Sequence, residues 1–225
     1  MPIRAVLFDI DGTLVDSNEL HVDAWQEAFS AIGERFGRAQ IHDQIGKGTD
    51  MLVPALLPGL DDDGVTKLGE AHGAIFKEQH LAKVVPFAQA HALLRHVSER
   101  GQKLVLASSA SGGELDHYLD LLDARDLVAA TTSGDDVEKT KPAPDIVGVA
   151  LGKLVGVAPA ETLMVGDTPY DVEAAAQCGV RTVAVRSGGF ADEALTAAGA
   201  IAIYDDVAAL LAAYDASPLG HPDES

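Results

Sequence analysis

The chain has little cysteine, little positive charge and no long apolar run, and each shortage narrows what it can be. A single cysteine, Cys178, cannot form an internal disulfide, which suits a reducing compartment. It lies in the apolar helix end "AAAQCGV" and reads as a small core hydrophobe, not a reactive thiol. Only 16 lysines and arginines face 35 acidic residues, and a net charge of −19 argues against nucleic acid, whose phosphates would be repelled at long range. No apolar stretch reaches the roughly 18 residues a membrane helix needs. The opening "MPIRAVLF" shows no small-residue cleavage site, so a cytoplasmic location and no membrane partner are expected. There is no internal repeat. What remains, 225 residues with 47% hydrophobic and 23% charged, is an ordinary globular composition with room for one core and a smaller insert.

From about residue 86 onward, strand-like and helix-like segments alternate. "KLVLAS", "LVAATTS", "TLMVGD", "VRTVAVR" and "AIAIYD" are separated by amphipathic stretches such as "AQAHALLRHVSERG" and "DVEAAAQCG". That rhythm predicts a mainly parallel sheet with helices on both faces, an α/β Rossmann-like fold. Residues 16–85 break it. "NELHVDAWQEAFSAIG" is helical, "GTDMLVPALLPGL" and "DDDGVTKLGEAHGAIFKEQHL" read as further short helices, and no convincing strand lies between them. The expected organisation is a core of residues 1–15 and 86–225 with a helical domain, 16–85, inserted after the first strand. The polar tail "DASPLGHPDES" is expected to fray.

The stretch "AVLFDIDGTLVDS" admits two readings. Asp11-Gly12 between apolar residues is a hairpin signal. Alternatively a buried strand ends and presents Asp9 and Asp11 at its carboxyl edge, where open parallel sheets bind ligands. The chain passes directly into a helical pattern, leaving no room for a full partner strand, although a short pair reaching toward the insert would fit. Other strand ends supply Ser108 and Asp167, with Asp171 four residues later, and Lys141 precedes a proline suited to opening a helix. Taken singly each has a bland explanation, as turn, cap or solvated charge. Jointly they gather oxygen ligands and one balancing lysine at the ends of one sheet.

The ordered set "DIDGT", "LASS", "KPAPD" and "VGDTPYD" resembles the haloacid dehalogenase superfamily, in the subfamily IA of phosphatases with a helical C1-type cap after the first strand, similar to phosphoglycolate phosphatase and beta-phosphoglucomutase. The resemblance covers about residues 3 to 205; the cap resembles the family in position and helical character only. It implies Asp9 as nucleophile forming an aspartyl-phosphate and Asp11 as general acid and then base. Mg²⁺ would be held by Asp9, the backbone carbonyl of Asp11 and Asp167. Asp171 would hold metal waters or orient Lys141, while Lys141 and Ser108 would bind phosphoryl oxygens. Gly12 would admit the phosphate to the backbone, Thr13 would shape that turn, and Ser109 would offer a backbone amide.

In the insert, His21 and Trp25 share a helical face, where packing and a substrate-pocket role compete. Asp16 and Ser17 suit hinge or N-cap roles, and Lys47 in "IGKGTD" suits a loop reaching toward substrate. His72, His91 and His117 read as surface or packing residues, and "SGGF" at Ser187–Phe190, which follows a predicted strand, as a plain turn in preference to a contact with the site edge. The expected activity is Mg²⁺-dependent hydrolysis of a small phosphorylated metabolite. The alternatives are a sugar-phosphate mutase, which His21 favours by resembling a residue at the corresponding place in those mutases and against which Asp50 stands where a phosphate-gripping arginine is expected, and a non-catalytic binding protein, which every intact motif disfavours. Monomer and homodimer are both compatible with these residues.

Overall fold

The computed structural model describes residues 2–221. A six-stranded parallel sheet has the order β5-β4-β1-β6-β7-β8, formed by β1 (Ala5–Phe8), β4 (Lys103–Ala107), β5 (Ala130–Thr132), β6 (Thr162–Gly166), β7 (Arg181–Val185) and β8 (Ala202–Tyr204). All five pairings are parallel. Strand alternation divides the interior into two layers. Val6 and Phe8 join Leu104, Leu106, Leu163 and Val165 on one face, while Ala5 and Leu7 join Val105, Ala107 and Met164 on the other. Every residue of β1 is buried, as expected of a central strand covered on both sides.

Helices α5 (Ala90–Glu99), α6 (Gly112–Leu121) and α10 (Val207–Ala212) supply Leu93, Leu94, Leu115, Leu119 and Leu210 to the first layer. Helices α7 (Asp145–Gly152) and α8 (Pro169–Gln177) supply Ile146, Val147, Ala174 and Ala175 to the second. A remaining helix, α9 (Asp192–Ala198), lies against α8. Burial of a large side chain such as Phe8 contributes roughly 1.5–3 kcal/mol, so the doubly covered centre is the rigid base on which the strand ends are held.

Between β1 and α5 the chain forms α1 (Asn18–Ala31), α2 (Arg38–His42), α3 (Thr49–Leu56) and α4 (Asp62–Ile75). These share a separate apolar cluster of Val22, Trp25, Phe29, Ile41, Leu52, Val53 and Leu68. The two segments expected as short helices each hold one, α3 and α4, and α4 runs for 14 residues before continuing into a π-helical turn at Phe76–His80. Its glycines depress helix propensity, but one has a packing reason: a Cβ on Gly69 would lie 2.5 Å from Thr49 Cγ2, so the small residue lets α3 approach. Two short strands, β2 (Val15–Asp16) and β3 (Val85–Pro86), pair antiparallel where the chain enters and leaves this helical block. That is the short pair the opening motif allowed for.

Two expectations are corrected. Lys141-Pro142 does not open α7, which begins at Asp145 after Pro144 at the N-cap position. The tail is packed as far as His221: Ser217 and Leu219 are buried, and Gln102 Nε2 donates to the Leu219 carbonyl at 3.0 Å. An apolar side chain at 219 and a buried acceptor there outweigh the polar composition around them. The rest of the expected frayed tail, residues 222–225, lies outside the described residues. Among the described residues no helix is long and apolar enough to cross a membrane.

Candidate active site

β1 lies between β4 and β6 with Phe8 in register with Leu106 and Val165, so the three strands end level with one another. Asp9, Ser108 and Asp167 follow directly, and Asp9 N–H continues the ladder to the Val165 carbonyl at 2.9 Å. All three are buried. The hairpin reading of the opening motif fails, because β1 pairs with β4 and β6 and Val15–Asp16 pairs with Val85–Pro86; only a tight turn remains of it. Gly12 has φ +74°, its N–H donates to the Val15 carbonyl at 2.9 Å, and Asp9 still stands at the sheet's carboxyl edge. A Cβ on Gly12 would lie 2.2 Å from Asp167 Oδ2, so both conformation and space demand glycine.

Oxygen ligands of Asp9, Asp167 and Asp171 lie within 4.8 Å of one another, all buried. Lys141, fully buried, reaches this cluster, contacting Asp9 Oδ1 and, at 2.7 Å, Asp171 Oδ1. The opposite Asp171 oxygen accepts from Thr168 Oγ1 at 2.8 Å and Thr168 N at 3.1 Å, which holds the carboxylate toward the lysine. Thr13 Oγ1 donates to Asp167 Oδ1 at 2.9 Å, and Asn18 Nδ2 donates to Asp167 Oδ2 at 3.0 Å.

The electrostatics follow from burial. Desolvation pushes the Asp9 carboxyl up to about 7, with Asp171 and Asp11 adding repulsion and Lys141 opposing. Burial likewise raises Asp167, helped by Asp9 and Asp171. For Lys141, burial lowers the ammonium's affinity for its proton, but Asp171 and Asp9 outweigh it and keep the group cationic. Three buried carboxylates against one ammonium form an oxygen-only donor set with surplus negative charge, which fits a hard divalent cation.

Asp11 sits apart from this cluster. It accepts from Ser17 Oγ at 2.6 Å and from His21 Nε2 at 3.2 Å. Burial raises its carboxyl, but the His21 hydrogen bond and charge, with Ser17, outweigh burial and leave it below the ordinary value. Ser17 occupies the N-cap position of α1 without a side-chain cap bond, because its hydroxyl is turned to Asp11. His21 is raised in turn, Asp11 outweighing the burial that would lower it.

Several site neighbours carried no distinctive sequence signal. His72, expected on the surface or in packing, lines the cavity, with its Nε2 3.3 Å from His21 Nδ1. Burial and the adjacent His21 hold it well below the usual histidine value. The two rings are braced by stacking, His21 on Phe76 at 3.8 Å and Trp25 on His72 at 4.0 Å. "SGGF" is a turn but also abuts the site: Ser187 Oγ donates to the Gly12 carbonyl at 2.6 Å, and a Cβ on Gly188 would lie 1.7 Å from Asp167 Oδ2. Asn18, immediately after Asp16-Ser17, also went unread. His91 fits its packing role, with Nδ1 donating to the Leu122 carbonyl at 2.9 Å.

Above Asp9 and Asp11 is a cavity of about 350 Å³, whose lining includes Ser108, Ser109, His21, Trp25 and Lys47. Ser108 Oγ accepts from Ala110 N at 3.0 Å, which leaves its O–H free to donate. Ser109 Oγ donates to the Gly46 carbonyl at 3.1 Å, so its side chain joins the sheet edge to the helical block. Lys47 Nζ donates to Gln44 Oε1 at 2.6 Å and lies 4.3 Å from the Tyr170 ring centroid. The helical block is also joined to the sheet edge at Thr140, whose N–H and Oγ1 donate to Asp50 at 2.9 and 2.5 Å.

Comparison with known proteins agrees with this geometry. The family described as haloacid dehalogenase-like hydrolase matches residues 6–185. A phosphoglycolate phosphatase of Rhodospirillum rubrum is 32% identical over 216 residues, covering 92% of this chain and 89% of that protein. A pyrophosphatase PpaX of Bacillus pumilus is 30% identical over 194 residues, covering 86% and 88%. The crystal structure of a hydrolase from Pseudomonas syringae superposes with a TM-score of 0.89 at 29% identity, covering 96% of this chain and 99% of that one. With the motif carboxylates gathered at level strand ends and nearly the whole chain matched, the protein is an enzyme that belongs to the haloacid dehalogenase-like hydrolase family.

Proposed function

We propose that the chain is a Mg²⁺-dependent phosphatase that hydrolyses a small phosphorylated metabolite through an aspartyl-phosphate on Asp9, with residues 16–85 acting as its cap. The observation that carries this reading is the placement of Asp9, at once in the carboxylate cluster, in contact with Lys141 and on the wall of the cavity. A carboxylate oxygen of Asp9 attacks phosphorus, and the bond from phosphorus to the leaving oxygen breaks as Asp11 gives that oxygen a proton. A dianionic ester in the cavity adds like charge beside Asp11, which favours the proton uptake this step requires. Water then attacks the phosphorus of the aspartyl-phosphate and loses its proton to Asp11, releasing phosphate and restoring Asp9. Lys141 and the free Ser108 hydroxyl bind the phosphoryl oxygens as charge shifts onto them. Asp9 and Asp167 would hold Mg²⁺ with the Asp11 carbonyl, and Asp171 beside them; the ion supplies positive charge that the carboxylates alone lack.

The mutase alternative needs cations in the cap to grip a second phosphate, and among the described residues the cap side of the cavity offers one lysine, Lys47, besides His21, which is already paired with Asp11. The phosphatase reading is tested by phosphate release from small esters with Mg²⁺ and with chelator, using wild type and Asp9→Asn. Release that depends on metal and on Asp9 is expected. Activity that survives in a freshly prepared Asp9→Asn enzyme, free of deamidation, would remove Asp9 as nucleophile.

A further inference from the structure

The cavity has one end for the phosphoryl group and another for whatever carries it, and the second end is strongly acidic. The cavity's lining includes Asp50, Glu114, Asp135 and Glu138, against one lysine, Lys47, and His21, which is already paired with Asp11. Among the described residues none of these four carboxylates forms an ion pair. Three are fixed by hydrogen bonds from elsewhere. Asp50 accepts from Thr140, Glu114 Oε2 from Ser111 N and Oγ at 2.9 and 2.7 Å, and Asp135 Oδ2 from Gly112 N at 2.8 Å. Each therefore stays in place with its charge uncompensated, and Glu114 and Asp135 each keep an oxygen without a protein donor. Lys47 is itself engaged by Gln44 and the Tyr170 ring. Trp25 and the stacked His72 ring also line the cavity.

A ligand tail bearing a second anion would sit beside these carboxylates in a cavity of about 350 Å³ and be repelled by them, most by Asp50 and Glu114, which are half-buried, and less by Asp135 and Glu138, which are exposed and screened by solvent. A tail that donates hydrogen bonds would meet free acceptors instead. We propose that the ester taken by this site has a leaving group with no second anion and with hydrogen-bond donors, hydroxyl or ammonium, directed at the acidic wall. This rests on the phosphatase reading and goes further, because it separates the chain's substrate from the phosphoglycolate and pyrophosphate that name its relatives.

Three esters of similar size test it: 2-hydroxyethyl phosphate, 2-aminoethyl phosphate and phosphoglycolate, whose tails are neutral, cationic and anionic. With wild-type enzyme and Mg²⁺, kcat/KM for phosphoglycolate should be at least about tenfold below the better of the other two, and added salt should narrow that gap by screening. Preference for the hydroxyl or the ammonium tail identifies which donor the wall receives. Glu138→Lys should raise the ratio of phosphoglycolate to 2-hydroxyethyl phosphate turnover several-fold. Phosphoglycolate turned over as well as the other two, or a ratio indifferent to Glu138→Lys in a variant whose melting temperature matches wild type, overturns the proposal. p-Nitrophenyl phosphate, which needs no tail recognition, separates the two failures. If it is not hydrolysed either, the phosphatase reading fails; if it is, only the tail assignment does.

Discussion

Replacing Lys141 with methionine should destabilise the protein by an amount that depends on pH and on divalent cation. The ammonium is fully buried and touches both Asp9 and Asp171, and Asp167 belongs to the same cluster. Methionine keeps most of the volume and removes only the charge. Two effects compete, since the variant no longer buries an ammonium but leaves three buried carboxylates without a cation. Removing one partner of a buried pair typically costs about 3–5 kcal/mol, more than is regained from the lost desolvation. At about 2–4 °C per kcal/mol for a chain of this size, the melting temperature should fall by roughly 6–20 °C near neutral pH.

The sign of the pH dependence follows from Asp9. Its carboxyl is held up at about 7 even with Lys141 present, because burial opposes its charge. An unfolded aspartate ionises near about 3.9, so the folded state loses stability relative to the unfolded chain as pH rises from there through the folded value. Without Lys141 that window extends higher. The gap between wild type and Lys141→Met, measured by calorimetry in chelator, should therefore be small near pH 5 and large near pH 8. At the higher pH, Mg²⁺ should recover part of it by restoring positive charge. Adding Asp171→Asn to Lys141→Met should also recover stability, because it deletes one uncompensated carboxylate. A variant as stable as wild type at pH 8 in chelator, or a gap that widens toward acid, would refute the reasoning.

Two further outcomes follow from the site's packing. Gly188→Ala drives a methyl group to within 1.7 Å of Asp167 Oδ2, so stability should drop by about 1–3 kcal/mol and Mg²⁺ should bind more weakly by calorimetric titration; unchanged metal affinity would mean Asp167 is not a ligand. His72→Ala removes the ring facing His21 Nδ1 and with it the bracing of His21 against Asp11. Because general-acid help is worth about 10²–10⁴-fold, partial misplacement of Asp11 should lower kcat for alkyl esters about tenfold while leaving p-nitrophenyl phosphate, whose leaving group needs no proton, nearly unaffected; equal losses on both would reduce His72 to a packing role.

The parts of the site that could be read from the sequence are those dictated by the backbone of a parallel sheet. Asp9, Ser108 and Asp167 follow three neighbouring strands, and strand patterns are visible one residue at a time. Lys141 and Asp171 came from motif spacing, and their contact with one another and with Asp9 needed the fold. Asn18, Gly188 and His72 come to the site through space, from the start of one helix, a turn after β7 and the last turn of α4. Asn18 follows directly on Asp16-Ser17 and Gly188 lies in a turn after a strand, so both positions offered a local signal. His72 was read as a surface or packing residue and does pack on Trp25, but a histidine within an amphipathic helix carries no mark that it also faces a cavity. Helix α4 was legible from its apolar spacing despite glycines that weaken local propensity, whereas the close approach of Thr49 to Gly69 that explains one of them is a tertiary fact. The described part of the tail was misjudged for a related reason, through one buried leucine at 219.

The charge balance also bears on how an acidic protein can take an anionic substrate. Its net charge of −19 repels phosphate at long range, and the cluster at the sheet edge is negative as well, with three carboxylates against Lys141. A divalent cation would cancel that local surplus, so that Lys141 and Ser108 can act on a phosphoryl group in a locally balanced site. The acidic wall beyond receives no such correction, since among the described residues Lys47 is the one lysine lining it and His21 is held by Asp11. The same excess of acid that a metal would offset at one end of the cavity is left standing at the other. Catalysis and selectivity would then draw on one property in opposite ways, with charge neutralised where the phosphoryl group binds and retained where the leaving group is recognised.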